Sequence, residues 1–190
     1  MSFFDAPAPP QPPWPEWMKA PEGWLGGFVP VRLVLARTAA LVITVGRFEA
    51  FPTGIRCALK VRSRESIRAF EALAEGMQLG VAFPDGSKWQ GGSAGWRNPL
   101  ETPPPAPNVM QMGGGGNESD SQVDLWLWPL PPAGPVTFAL SWPARGIAET
   151  TAQIDGALLR ATAAEAQQLW PPLTAEEREA AMREHLQRRH

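Results

Sequence analysis

The chain of 190 residues has no tyrosine, one cysteine and two histidines, and each shortage removes a class of explanation. A lone cysteine, Cys57, cannot build an internal disulfide framework and fits a reducing compartment. His185 and His190 stand in a polar C-terminal tail, so a Ser-His-Asp or Cys-His site would have to take its base from the least anchored part of the chain. Zinc-ligand spacing is absent, as are the Rossmann and Walker patterns, and neither a cofactor nor a metal is expected. No apolar run approaches the ~20 residues that span a bilayer, and the N-terminus lacks the basic start and apolar core of a signal peptide. A cytoplasmic location without membrane contact is therefore expected. The formal net charge of -2 gives no global field that would hold nucleic acid, which is not an expected partner either.

Glycine and proline are plentiful, at 18 and 22 residues, and they cluster, which favours strands joined by irregular connections over a helical bundle. The central stretch is Val123 to Trp142. Val123, Leu125 and Leu127 alternate with Asp124, Trp126 and Trp128, and Val136, Phe138, Leu140 and Trp142 alternate with Thr137, Ala139 and Ser141. That period of two is the strand signature, and the residues from Leu130 to Pro135 can continue neither strand, so a hairpin with a proline-rich corner is expected.

Strands of the same kind precede it. Val29, Val31, Leu33 and Leu35 alternate with other residues, and Leu41, Ile43 and Val45 continue until Gly46, after which the apolar phase slips to Phe48 and Ala50. An extra residue would do this, and a β-bulge is predicted near Gly46 and Arg47. After a turn at Pro52–Gly54, Ile55, Cys57, Leu59 and Val61 form the apolar row of a half-buried strand whose other face carries Arg56, Lys60 and Arg62. Cys57 on the apolar row is expected to be a small core residue rather than a nucleophile. Ile67, Phe70 and Leu73 recur at helical spacing and predict a short connecting helix over 63–74, and Pro84, Asp85 and Gly86 predict the turn of another hairpin.

Residues 1–28 form a Pro/Trp-rich extended arm on composition, and residues 91–122, with Pro103, Pro104, Pro105, Pro107 and four consecutive glycines from Gly113 to Gly116, read as a flexible loop. Beyond a last edge strand, Asp155 predicts an N-cap for a helix from about Gly156 to Leu169. Thr174 to Glu177 is a capping box for a final helix.

The glycine run followed by the strand-corner-strand segment, above all Leu127, Trp128, Pro129, Leu130, Pro131 and Pro132 with Gly134 and Pro135, resembles a pattern in uncharacterised actinobacterial proteins of similar length. Phe83 to Gly86 also fits it. The resemblance implies a cytoplasmic bacterial protein and no catalytic or binding residue.

The expected fold is mainly β: a single antiparallel β-sandwich, immunoglobulin-like in general shape, of seven to nine strands over residues 29–155, with a short connecting helix and a helical C-terminal appendage over 156–190. A half-open barrel is the rival. Both bury Leu33, Ile43, Cys57, Leu59, Val81, Leu125, Phe138 and Leu140. The favoured function is a non-catalytic protein-interaction or structural module with a protein partner, using Trp14, Trp17, Trp24, Trp89 and Trp96 as candidate contact residues. The alternative is a carbohydrate-binding or carbohydrate-processing domain, which needs at least two exposed Trp side by side and a carboxylate drawn from residues such as Asp85, Asp120, Asp124 and Glu149.

Overall fold

A computed structural model describes residues 14–65, 67, 76–91 and 102–187. The fold is mainly β and its sheets are antiparallel. In chain order the strands are β1 Trp24–Leu25, β2 Gly27–Val29, β3 Leu33–Arg37, β4 Leu41–Phe51, β5 Gly54–Ser63, β6 Gln78–Ala82, β7 Lys88–Gly91, β8 Asn108–Gly116, β9 Asp120–Trp128, β10 Pro135–Trp142, β11 Ile147–Asp155 and β12 Gln167–Gln168, and the helices are α1 Gly156–Ala163 and α2 Ala175–Gln187. Nine of these strands, β3 to β11, lie within residues 29–155, and β1, β2 and β12 are added because the arm and the segment after α1 also pair.

One sheet runs β2-β4-β5-β9-β8, with β3 also paired to β4, a second runs β11-β10-β6-β7, and β1 and β12 make a separate ribbon. Among the described residues neither large sheet closes on itself. Alternation dictates the inner faces: Ile43, Val45, Phe48, Cys57, Leu59, Val123 and Leu125 from the first sheet and Leu79, Val81, Phe138 and Leu140 from the second belong to one buried cluster. Phe48 and Phe138 meet edge to face across it, with ring centroids 5.9 Å apart. Each fully buried Leu, Ile or Phe stabilises by about 1.5–3 kcal/mol, so this cluster is the main source of stability. All eight residues expected in the core are buried.

The bulge is where the phase slip puts it. Gly46 faces Ala58 and Glu49 faces Arg56, so Arg47 and Phe48 together oppose Cys57, and Arg47 has a positive φ of 54°. The β4–β5 turn at residues 52–53 and the β6–β7 turn at Pro84–Gly86 also follow expectation, the latter closed by Phe83 N donating to Ser87 O at 2.9 Å.

Three expectations are corrected. The central stretch is not a hairpin: β9 pairs with β5 and β8, while β10 pairs with β6 and β11. Pro129, Pro131, Pro132 and Pro135 deny the corner the donors that a tight turn needs, so it carries the chain from one sheet to the other. The glycine run is not a loop. Gly113 to Gly116 lie in β8 opposite Asp124 to Ser121, and the connection to β9 is the tight Asn117–Asp120 turn, whose Asn117 Oδ1 accepts from Ser119 N and Asp120 N. Glycine is required at Gly114 and Gly116, where a Cβ would stand 2.4 Å from Gln122 O and 2.3 Å from Asp120 O. Finally, α1 stops at Ala163 rather than Leu169, and the chain turns to pair β12 with β1.

Both C-terminal caps form as predicted. Asp155 Oδ1 accepts from Ala157 N at 2.8 Å, and Thr174 and Glu177 exchange backbone-to-side-chain bonds of 2.7 and 3.2 Å. The connecting helix expected over 63–74 falls largely outside the described residues.

Candidate functional site

The outer face of the six-stranded sheet is built from rows of residues that sequence distance hides. Strand register places Phe28, Glu49, Arg56, Trp126 and Met110 opposite one another across β2, β4, β5, β9 and β8. The next row is Gly46, Ala58, Asp124 and Gly113, with no side chain longer than that of aspartate among four positions. A depression lies over the Ala58 and Asp124 positions of that row. It is a cleft of about 620 Å³ lined by Phe28, Arg47, Glu49, Arg56, Met112 and Asp124 among others, with Ala58 and Trp126 in its floor.

One side is closed by the arm. Trp126 is fully buried although it points away from the main core, because residues 14–20 lie over it: its Nε1 donates to Glu16 O at 2.9 Å, and Phe51 packs edge-on against it at 5.8 Å. Trp126, Phe51 and Ala20 thus form a second small core, with Trp24, Met110 and Trp128 around it. Salt bridges from Glu22 to Lys19 at 2.7 Å and to Arg178 at 3.3 Å tie the arm to α2 and hold the Glu22 carboxyl below its ordinary range, the Lys19 hydrogen bond contributing most.

The ionic groups of the cleft fall into two sets. Arg56 pairs with Glu49 at 2.8 Å and lies over the Phe51 ring, while Gly26 N donates to the other Glu49 oxygen at 3.3 Å. Arg47 donates to Gln122 Oε1 at 3.0 Å, and Gln122 Nε2 donates in turn to Asp124 Oδ1 at 3.1 Å. Gln122 therefore separates a guanidinium from a carboxylate, and neither is within salt-bridge distance of an opposite charge among the described residues. Above the cleft rim are exposed apolar side chains: Phe28 is 70 % exposed, Leu25 53 % and Met112 44 %. Further along β5, Lys60 and Arg62 share Asp120 at 2.8 and 3.0 Å and, Lys60 foremost, lower its pKa.

Cys57 lies beneath the cleft on the inner face. Burial, with a smaller push from the Asp124 charge, raises its pKa to about 12, so the thiol stays protonated and is no nucleophile. The four carboxylates considered for glycoside chemistry do not converge. Asp85 is bound to Ser87 in the β6–β7 turn, Glu149 is on β11 of the other sheet, and Asp120 is engaged by two cations, leaving Asp124 in the cleft by itself. Among the described residues no group of three His, Cys, Asp or Glu is placed to hold a metal ion. Nor is any described helix long and apolar enough to cross a membrane.

The tryptophans singled out in the sequence occupy different settings. Trp14 is exposed, with the Lys19 ammonium 5.7 Å from its ring centre. Trp17 is half-buried edge-on to Trp128 at 6.3 Å, Trp24 is half-buried in β1, and Trp89 is half-buried in β7 against the main core. Trp96 lies outside the described residues. The cleft's own residues, Phe28, Arg47, Glu49 and Met112, were not among the sequence candidates. The available signal was the phase slip at Gly46, which marks a bulge and so a place where a side chain is re-aimed. Comparison with known proteins finds no matching family model, no matching curated protein and no matching solved structure.

Proposed function

We propose that this chain is a non-catalytic protein-interaction module, and that the cleft on the outer face of the six-stranded sheet docks an extended segment of a partner protein. The observation that carries this reading is the composition of the cleft: a concave floor with fixed ionic groups, rimmed by Phe28, Leu25 and Met112, which expose large apolar side chains to water. Such a rim gains by being covered. The protonated, buried Cys57 and the scattered carboxylates favour binding over catalysis. We read the two sheets as one β-sandwich, immunoglobulin-like in its two antiparallel layers, and the single cluster fed by both inner faces supports that.

The carbohydrate alternative needs two exposed tryptophans side by side. Among the described residues the large indoles of the sheets are instead buried or half-buried, with Trp128 covered by Trp17, so this reading has less support.

Photo-crosslinking in the native host tests the module. Benzoylphenylalanine placed at Phe28 or at Met112 is expected to yield a discrete protein adduct that an Arg56→Glu change abolishes, and the same group at exposed Thr151 on β11 is expected to yield none. Adducts from Thr151 alone would place the docking surface on the other sheet.

A further inference from the structure

We propose that the segment recognised by the cleft is zwitterionic and alternating, presenting in turn an apolar, an anionic, a cationic and an apolar side chain on one face of an extended chain. This rests on the reading of the cleft as the docking site and names the chemistry of its partner.

Two observations lead there. The first is the strain at Arg47. Among the described residues it is the non-glycine residue with positive φ, a conformation that costs an L-residue energy and is retained where surrounding structure or function demands it. The bulge that imposes it sends the guanidinium across the outer face to Gln122 rather than along the sheet to the Glu49 carboxylate. The second is the division of charge. Arg56 and Glu49 neutralise each other, whereas Arg47 and Asp124 are held apart by the Gln122 amide, each with a neutral partner. A ligand of a single sign would satisfy one of them and be repelled by the other.

Position along the cleft sets the order. Across the strands one meets Phe28 on β2, Arg47 on β4, Asp124 on β9 and Met112 on β8, that is, apolar, cation, anion, apolar. The complement is apolar, anion, cation, apolar. Same-face residues of an extended chain recur every ~7 Å, which is commensurate with two groups separated by one amide and hydrogen bonds of 3.0 and 3.1 Å. The order in the partner is therefore Leu or Phe, then Asp or Glu, then Lys or Arg, then Leu or Phe, at alternate positions. Charge complementarity of this kind gives register and selectivity more than raw affinity.

The test uses the full chain and four synthetic heptapeptides with blocked ends: Leu-Ser-Glu-Ser-Lys-Ser-Leu and its counterparts with Glu at both charged positions, Lys at both, and Gln at both. Fluorescence anisotropy is expected to show the Glu/Lys peptide binding most tightly, about fivefold ahead of the Gln/Gln peptide, as partly exposed ion pairs allow, with the gap narrowing in high salt. Asp124→Asn is expected to remove the preference for Lys and leave that for Glu, and Arg47→Gly to do the reverse. Equal binding of all four, a lead for the Glu/Glu or Lys/Lys peptide, or no binding of any would overturn the proposal. The docking site itself is judged separately by the crosslinks at Phe28 and Met112, so a wrong partner chemistry and a wrong site give different results.

Discussion

The six-stranded sheet has two faces made by the same strands, and they obey different rules. On the inner face the alternating residues of β4, β5 and β9 are nearly all apolar and almost completely buried, with Cys57 and Ser121 as the buried exceptions to aliphatic or aromatic side chains. The outer face mixes a buried indole, a bulge, a row of small residues, several arginines, a lysine and the carboxylates of Glu49, Asp120 and Asp124. Uniform burial accounts for stability, and the departures from it are where we propose the docking site. The outer face also contains its own small core under the arm, so the division between stabilising surface and the proposed docking surface runs through this face rather than between the two.

The sharpest way to break the comparison is to remove one large aromatic from each side. Phe138→Ala, in the main core, is expected to cost about 3–5 kcal/mol, and Trp126→Ala, beneath the arm, a loss in the same range, since both rings are fully buried. Urea denaturation of the two variants measures this. If Trp126→Ala proved nearly neutral, the arm would be an ornament and the outer face wholly functional.

A second separation uses pH. In the folded chain the Cys57 thiol keeps its proton to about pH 12, whereas in the unfolded chain it ionises near its ordinary value of 9.0. Between these values the unfolded state holds fewer protons, so stability is unaffected below about pH 9 and falls above it. The expected slope is about 1.4 kcal/mol per pH unit from this one group. The absence of tyrosine removes one usual contributor from that window. Denaturation midpoints from pH 8 to 11 check it, and Cys57→Ala is expected to flatten the decline. Alkylating reagents should likewise leave the native thiol intact.

How much of this was legible in the sequence follows from the same contrast. The inner face declares itself by period two, and even the bulge appears as a phase slip between Val45 and Phe48, because a pleated strand has no other way to exchange its faces. The cleft did not declare itself, since its rows join Phe28 to Glu49, Arg56 and Trp126, and register alone brings those positions together. Composition misleads at the glycines, because absence of side chains reads as absence of order. In β8 two of them are demanded by the closeness of the β9 backbone. The corner after Trp128 reads as a break but not as a change of sheet, because prolines report that a ladder stops without reporting where the next one starts.

That correction has its own test, of intermediate size. Gly116→Ala combines a φ of 131° with a Cβ 2.5 Å from Ser121 Cα, and is expected to cost about 1–3 kcal/mol. Gly115→Ala, whose Cβ would meet nothing within 4 Å, should stay within about 0.5 kcal/mol. A flexible loop would tolerate both equally, so thermal denaturation of the pair decides between loop and strand.

The smallest effect bears most directly on the outer face. Arg47→Gly removes the Cβ from a left-handed backbone position that glycine occupies freely, and gives up one exposed hydrogen bond to Gln122. Relief of the backbone strain is worth about 1 kcal/mol, and the exposed bond returns only a fraction of that because both partners are resolvated by water. The variant should therefore be more stable than the parent by somewhat under about 1 kcal/mol while losing its preference for the anionic position of the peptide. A gain in stability with a loss of selectivity would mark Arg47 as kept for what it binds. A drop in stability would show instead that the arginine holds β4 to β9, and the bulge would then belong with the inner face as a device of folding.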